Sequence, residues 1–311
     1  MIKRMKKEFK LLIDERRDIF DEKTRRIFLH KLVAMKLKRN FNEYDVSNVE
    51  LIEHSYKEIG INYNDNIENI DKTIKHYKEL SDNGKDNMKS SWGKIFKVKK
   101  YVRKYLYSNG WCSRKDNYFT LNSDSLNRPW FSTYYPISLN YGSLGYMIAQ
   151  TILRGFNNKS FKNIIEGIEK NKFNIIQMSI KIFEQKSECF VKKYGMVKET
   201  ITIKNINSLL TLNENIADNG GLKIAHKDYM KISAFDDFTN EQLFFINFGR
   251  SEYDHKSRDY LEKRINTNEH ISAEILTNVA LSNYKPFSDA FNCSINSKMN
   301  LEDKCESWKN Y

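Results

Sequence analysis

Apolar positions recur at helical spacing through the first third of the chain. Phe28, Leu32 and Met35 stand at i, i+4 and i+7, with Leu29, Val33 and Leu37 beside them, and predict a helix over 21–39 for which Asp21 and Thr24 both suit the N-cap. Ile67, Ile70, Ile74, Tyr77 and Leu80 form a second stripe over 65–82, with Asp65 as candidate cap and Glu68, Lys72, Lys75, Lys78 and Glu79 on the opposite face. Ser81-Asp82-Asn83-Gly84 stops that helix. Residues 95–120 mix spacings: Ile95, Phe96, Val98, Tyr101, Val102, Tyr105 and Tyr107 read as strand in part, and Tyr118–Leu121 as a short strand running into a polar loop. Beyond 140 helices dominate, from about Gly142 to Phe156, over 174–194, from near Asn213 to Ile232, and over 240–262 opened by Thr239 or Asn240. The last 40 residues read as irregular, with a helical turn at 286–291. The fold class expected is mostly α with a small β-sheet, an α+β arrangement.

One segment stands apart. Pro129 to Leu153 carries no charge. A membrane span needs about 20 mostly apolar residues in one helix, and Pro136, Asn140, Gly142, Gly145 and Gln150 interrupt this run. It reads as the buried centre of a globular domain.

Composition narrows the class. With 13% aromatic residues, 30% charged residues and a mean hydropathy of −0.68, the chain is neither disordered nor a polytopic membrane protein. Four Cys in 311 residues are too few for a disulfide scaffold. The net charge of +12 is uneven, because residues 1–107 carry 26 Lys and Arg against 17 Asp and Glu. No nucleic-acid-binding signature accompanies it, so the Lys excess reads as a solvated surface and no nucleic-acid partner is expected. Behind the basic start at Met1–Lys10 only Leu11, Leu12 and Ile13 precede Asp14, whereas an export signal needs about 7–15 apolar residues. No export signal and no transmembrane segment are expected from the chain as written, and localisation stays open.

Four runs carry a resemblance. SLNYGSLGYMIAQTILRGFNN (138–158) resembles the zinc-binding helix of the neprilysin and endothelin-converting-enzyme family of zinc metallopeptidases, and TLNENIADNGGLKIAHKDY (211–229) its second zinc-site helix. NEQLFFINFGR (240–250) and MNLEDKCESW (299–308) are similar to two further landmarks. The resemblance implies a thermolysin-like metallopeptidase domain over 95–311, preceded by a helical segment over 1–94 like the linker and second-lobe helices of that family. Such enzymes use one zinc ion, held by two His at i and i+4 and a Glu from the second helix, with a Glu beside the first His as general base. The metal makes hydroxide from its bound water at neutral pH.

On this sequence the family's G-H-E-I-T-H-G-F falls on Ala149-Gln150-Thr151-Ile152-Leu153-Arg154-Gly155-Phe156. Gln150 and Arg154 therefore stand at the two His ligand positions and Thr151 at the base. Glu214 keeps the third ligand, and Asp218 the residue that orients a zinc-bound His. The resemblance also assigns His270, 17 residues before Phe287, to the transition-state-stabilising His, and Leu276 to a substrate-binding Arg. Asn109-Gly110-Trp111-Cys112 falls on the substrate strand, with Asn109 retained and Gly110 expected to make the strand more flexible. Cys189 and Cys305 match a family disulfide. Cys293 matches a family Cys whose partner lies upstream of residue 1, and Cys112 falls on a Tyr position.

Gln is a poor zinc ligand, and Arg, protonated below about pH 12, has no lone pair to give. No cofactor is therefore expected. Arg154 is expected to replace the metal as the positive partner of Glu214, since a buried Glu214 alone costs several kcal/mol; the alternative sends Arg154 to solvent and leaves Glu214 to water. The function expected is that of a catalytically inactive neprilysin-like homologue that binds a peptide or a protein. The alternatives are an active zinc metalloendopeptidase cleaving small peptides, which would need a rebuilt metal site, and a non-functional gene fragment.

Overall fold

The computed structural model describes residues 1–39, 49–79, 110–157, 160, 170–232 and 238–305. The chain divides into two compact units, residues 1–38 with 109–311, and residues 39–108. In the first, α1 (Ile2–Glu15) buries Met5, Phe9, Leu12 and Ile13 along one face. Asp21 caps α2 (Glu22–Ala34), its carboxylate accepting from the Lys23 and Thr24 amides at 2.9 and 3.0 Å. The helix expected to reach 39 stops at Ala34. Met35 is extended yet buried, and Lys36–Arg39 forms β1. The Lys36 amide donates to the Asn117 carbonyl at 3.2 Å, so pairing with a distant strand outcompetes the helical pattern of Met35 and Leu37.

The second unit contains α3 (Val49–Glu58) and α4 (Ile67–Glu79). The cap of α4 is Asn66, which accepts from the Asn69 amide at 2.9 Å, while Asp65 instead accepts from the Asn62 amide at 2.6 Å. Its expected apolar stripe is only partly covered, for Ile67 is 81% exposed. The stop at 81–84, the strand-like residues 95–107 and Asn109 lie outside the described residues.

The first unit resumes with β2 (Gly110–Ser113) and β3 (Tyr118–Leu121), which pair antiparallel with Gly110 opposite Leu121 and Cys112 opposite Phe119, giving the sheet order β1-β3-β2. The uncharged run then goes inside. Pro136 leads into α5 (Ile137–Asn140), a π-helical turn (Tyr141–Gly145) and α6 (Tyr146–Leu153), closed by a 3₁₀ turn at Arg154–Phe156. Every residue from Tyr141 to Leu153 is buried, which a segment without charges permits at no desolvation penalty for ions.

After α7 (Lys170–Gly195), Asn207 caps α8 (Ser208–Ile232) by accepting from the Leu210 amide at 3.1 Å. α8 is the hub, packed on α6, α7 and α1. It meets α6 almost backbone to backbone: a Cβ on Gly221 would lie 2.8 Å from both Cα and N of Gln150. Lys231 on α8 also donates to both oxygens of the buried Glu8 on α1, at 2.6 and 2.7 Å.

The helix expected over 240–262 is two, α9 (Phe238–Glu252) and α10 (Arg258–Arg264). The apolar face of Phe244, Phe245 and Phe248 is used up on α9, α10 buries no residue, and Ser257 opens it by accepting from the Tyr260 amide at 3.3 Å. The C-terminal stretch read as irregular contains α11 (Ala273–Ser282), which buries Ile275, Leu276, Val279, Ala280 and Leu281 and packs on α8. α12 (Lys285–Ala290) occupies the expected turn. Cys189 and Cys305 are joined in a disulfide, and Cys112 and Cys293 are free thiols. Among the described residues no helix is long and apolar enough to cross a membrane.

Candidate functional site

α6 and the turn that closes it carry Gln150, Thr151 and Arg154. One turn apart on α8 sit Glu214 and Asp218. The Arg154 side chain crosses between these helices: its Nε donates to Glu214 Oε2 at 2.7 Å and its Nη1 to the Gly110 carbonyl at 3.0 Å. Both members are closed in, at 15% and 5% exposure. Two further nitrogens flank the same carboxylate, Arg114 Nη2 at 3.9 Å from Oε1 and His270 Nδ1 at 3.7 Å from Oε2. Burial pushes the Glu214 carboxyl up, but Arg154 first, then His270 and Arg114, outweigh it and hold the group below the usual carboxylate range.

Asp218 lies in the other regime. It is buried, accepts from the Gln150 amide and from the Tyr146 hydroxyl at 3.2 Å, and is pushed up to about 7, by burial foremost and by the charge of Glu214, against those two hydrogen bonds and Arg154. The Thr151 hydroxyl donates to the Met147 carbonyl one turn back, at 2.7 Å, so its proton is spent within its own helix. That hydroxyl oxygen also occupies the space a Cβ at 110 would need. Gly110 is thus buried and held between Thr151 and Arg154; close approach, rather than the expected flexibility, is what requires a glycine there. Leu276 sits in the apolar core on α11, 6% exposed.

The structure brings Gln150, Arg154, Glu214, Asp218 and His270 into one connected group. It adds three participants beyond those named from the sequence: Tyr146, one helical turn before Gln150; Arg114, whose Nε also donates to the Arg154 carbonyl at 3.3 Å; and the Gly110 carbonyl. Tyr146 had a signal, the i, i+4 relation to Gln150. Arg114 had none, because the turn between β2 and β3 places it. Among the described residues no group of three or more His, Cys, Asp and Glu side chains is placed to hold a metal ion. At the positions the resemblance gives to the ligands and the base stand an amide, a hydroxyl bonded within its own helix, a carboxylate and a guanidinium, and that carboxylate is already paired. These residues do not fit the zinc that the resemblance implies.

Residues 109–307 match peptidase family M13. The chain is 30% identical to Neprilysin-11 of Caenorhabditis elegans over 211 residues, covering 64% of this chain and 24% of that protein. Identity to human neprilysin is 28% over 300 residues, covering 93% of this chain and 38% of that protein. The crystal structure of the zinc metalloprotease Zmp1 of Mycobacterium tuberculosis, in complex with an inhibitor, superposes with a TM-score of 0.69 at 16% identity, covering 99% of this chain and 46% of that one. The chain thus spans less than half the length of each of these proteins.

Proposed function

Since the chain belongs to peptidase family M13, we propose that it is a member that does not hydrolyse peptides and uses the retained fold to bind a peptide or a protein. The observation that carries this reading is the 2.7 Å contact between Arg154 Nε and Glu214 Oε2. By the resemblance, Glu214 is the one protein ligand to zinc left in the sequence, and it is taken by a guanidinium. A permanent cation there repels a dication and satisfies the carboxylate that would attract one. A zinc ion would have one carboxylate where catalytic sites supply about three protein ligands.

The other half of the chemistry is missing too. General-base catalysis contributes roughly 10²–10⁴ in rate and needs a group that takes a proton near neutral pH. Thr151 stands at the base position and its hydroxyl serves the Met147 carbonyl. What persists is a surface for recognition. β2 lies at one end of the sheet order, His270 is half exposed beside Glu214, and we assign His270 and Asn109 to contacts with a bound peptide. With Leu276, buried in the core, at the substrate-Arg position, that cationic anchor is lost.

The test uses a quenched fluorescent peptide with zinc supplied, comparing the natural chain with the triple variant Gln150→His, Thr151→Glu and Arg154→His. The reading expects no chelator-sensitive cleavage by the natural chain, and zinc uptake by the variant. Cleavage by the natural chain that stops on adding chelator would overturn it.

A further inference from the structure

We propose that Arg114 and His270, flanking the Arg154–Glu214 pair, form a binding site for an oxyanion, either the C-terminal carboxylate of a peptide or a phosphate. This rests on the reading that no zinc occupies the site, and it names what the site takes instead. Two guanidiniums surround one carboxylate. Arg154 gives Nε to Glu214 and Nη1 to the Gly110 carbonyl, and that pair is neutral. Arg114 is the surplus. Its Nε donates to the Arg154 carbonyl, and its Nη2 stands 3.9 Å from Glu214, beyond hydrogen-bond range. Among the described residues Arg114 has no other carboxylate within ion-pair distance.

Exposure separates the two cations. Arg154 and Glu214 are closed in, whereas Arg114 is 28% and His270 49% exposed. An arriving ligand therefore meets the guanidinium edge and the imidazole, one beside each oxygen of Glu214, over a negative charge that is already neutralised. The planar fork of a guanidinium matches two oxygens of a carboxylate or phosphate, and partial burial strengthens such a contact over its value in water. The same surplus charge disfavours a metal cation.

Isothermal titration calorimetry at low salt tests this with three probes: N-acetyl-Ala-Ala-Phe as the free acid, the same tripeptide as its C-terminal amide, and inorganic phosphate. The expected result is that the acid binds more tightly than the amide or that phosphate binds, and that Arg114→Gln weakens whichever binds by about tenfold or more. Lys204→Gln, an exposed cation elsewhere, leaves binding unchanged. Phosphate that displaces the acid marks a general oxyanion site; acid that binds where phosphate does not marks a peptide terminus. If Arg114→Gln does not fold, His270→Gln is held to the same criterion. The inference is overturned if the natural chain treats acid and amide alike and takes up no phosphate, or if the folded variant binds as well as the natural chain. Zinc content is measured on the same preparation. Stoichiometric zinc overturns the parent reading, whereas metal-free protein that ignores all three probes overturns this inference alone.

Discussion

Glu214 and Asp218 lie one turn apart on the same helix, and their surroundings drive them in opposite directions. The guanidinium of Arg154 keeps Glu214 ionised, whereas Asp218 has only neutral donors in hydrogen-bond contact and is pushed up to about 7 from 3.8. The consequence for stability has a definite sign. Asp218 binds its proton more tightly folded than unfolded, so the stability it contributes is complete below about pH 4 and is lost as pH rises through about 7. Glu214 works the other way, and its contribution is lost only in acid, below the ordinary carboxylate range. Asp218→Asn should therefore gain stability relative to the natural chain between pH 5 and 8, read as a widening difference in thermal midpoint; parallel curves would contradict it. The Arg154–Glu214 pair was legible through the resemblance, which implies that position 154 faces Glu214 on the second helix, and a buried carboxylate demands a cation. Arg114 was not, since its place depends on how a strand turn folds back.

At the scale of elements, the α6–α8 crossing fixes the site, and Gly221 sets its distance. In an exposed helix Gly→Ala gains up to about 1 kcal/mol from propensity. At 221 the new Cβ would lie 2.8 Å from the backbone of Gln150, where backbone cannot give way cheaply. Gly221→Ala is expected to destabilise by about 1–3 kcal/mol as an overpacking change, measured by denaturant unfolding; a stabilised variant would show that the helices are not held this closely. The helical period exposed α2, α4, α7 and α8, and absence of charge marked the buried run that holds α6. α1 and α3 have no counterpart in the sequence reading, and three further features also escape it. β1 is recruited by a strand some 80 residues away in sequence, so nothing local announces it. The break between α9 and α10 follows from exhaustion of the apolar face at Phe248, a change a continuous reading smooths over. α11 is short, and its Ile275, Leu276, Val279 and Ala280 stand among polar residues that blur the helical period.

At the scale of the molecule, the chain has the fold of its peptidase family. The disulfide between Cys189 and Cys305 ties α7 to the C-terminal stretch, as the resemblance implied, and the larger unit closes around α8. Under the proposed reading the scaffold needs no metal to fold, because burial of the uncharged run supplies its driving force and Arg154 leaves no unpaired charge at Glu214. The measurement that bears most directly on this account is the metal content of the natural chain, purified folded, equilibrated with micromolar zinc and passed through a desalting column. The account predicts far less than one zinc per chain; one tightly held zinc per chain would contradict it.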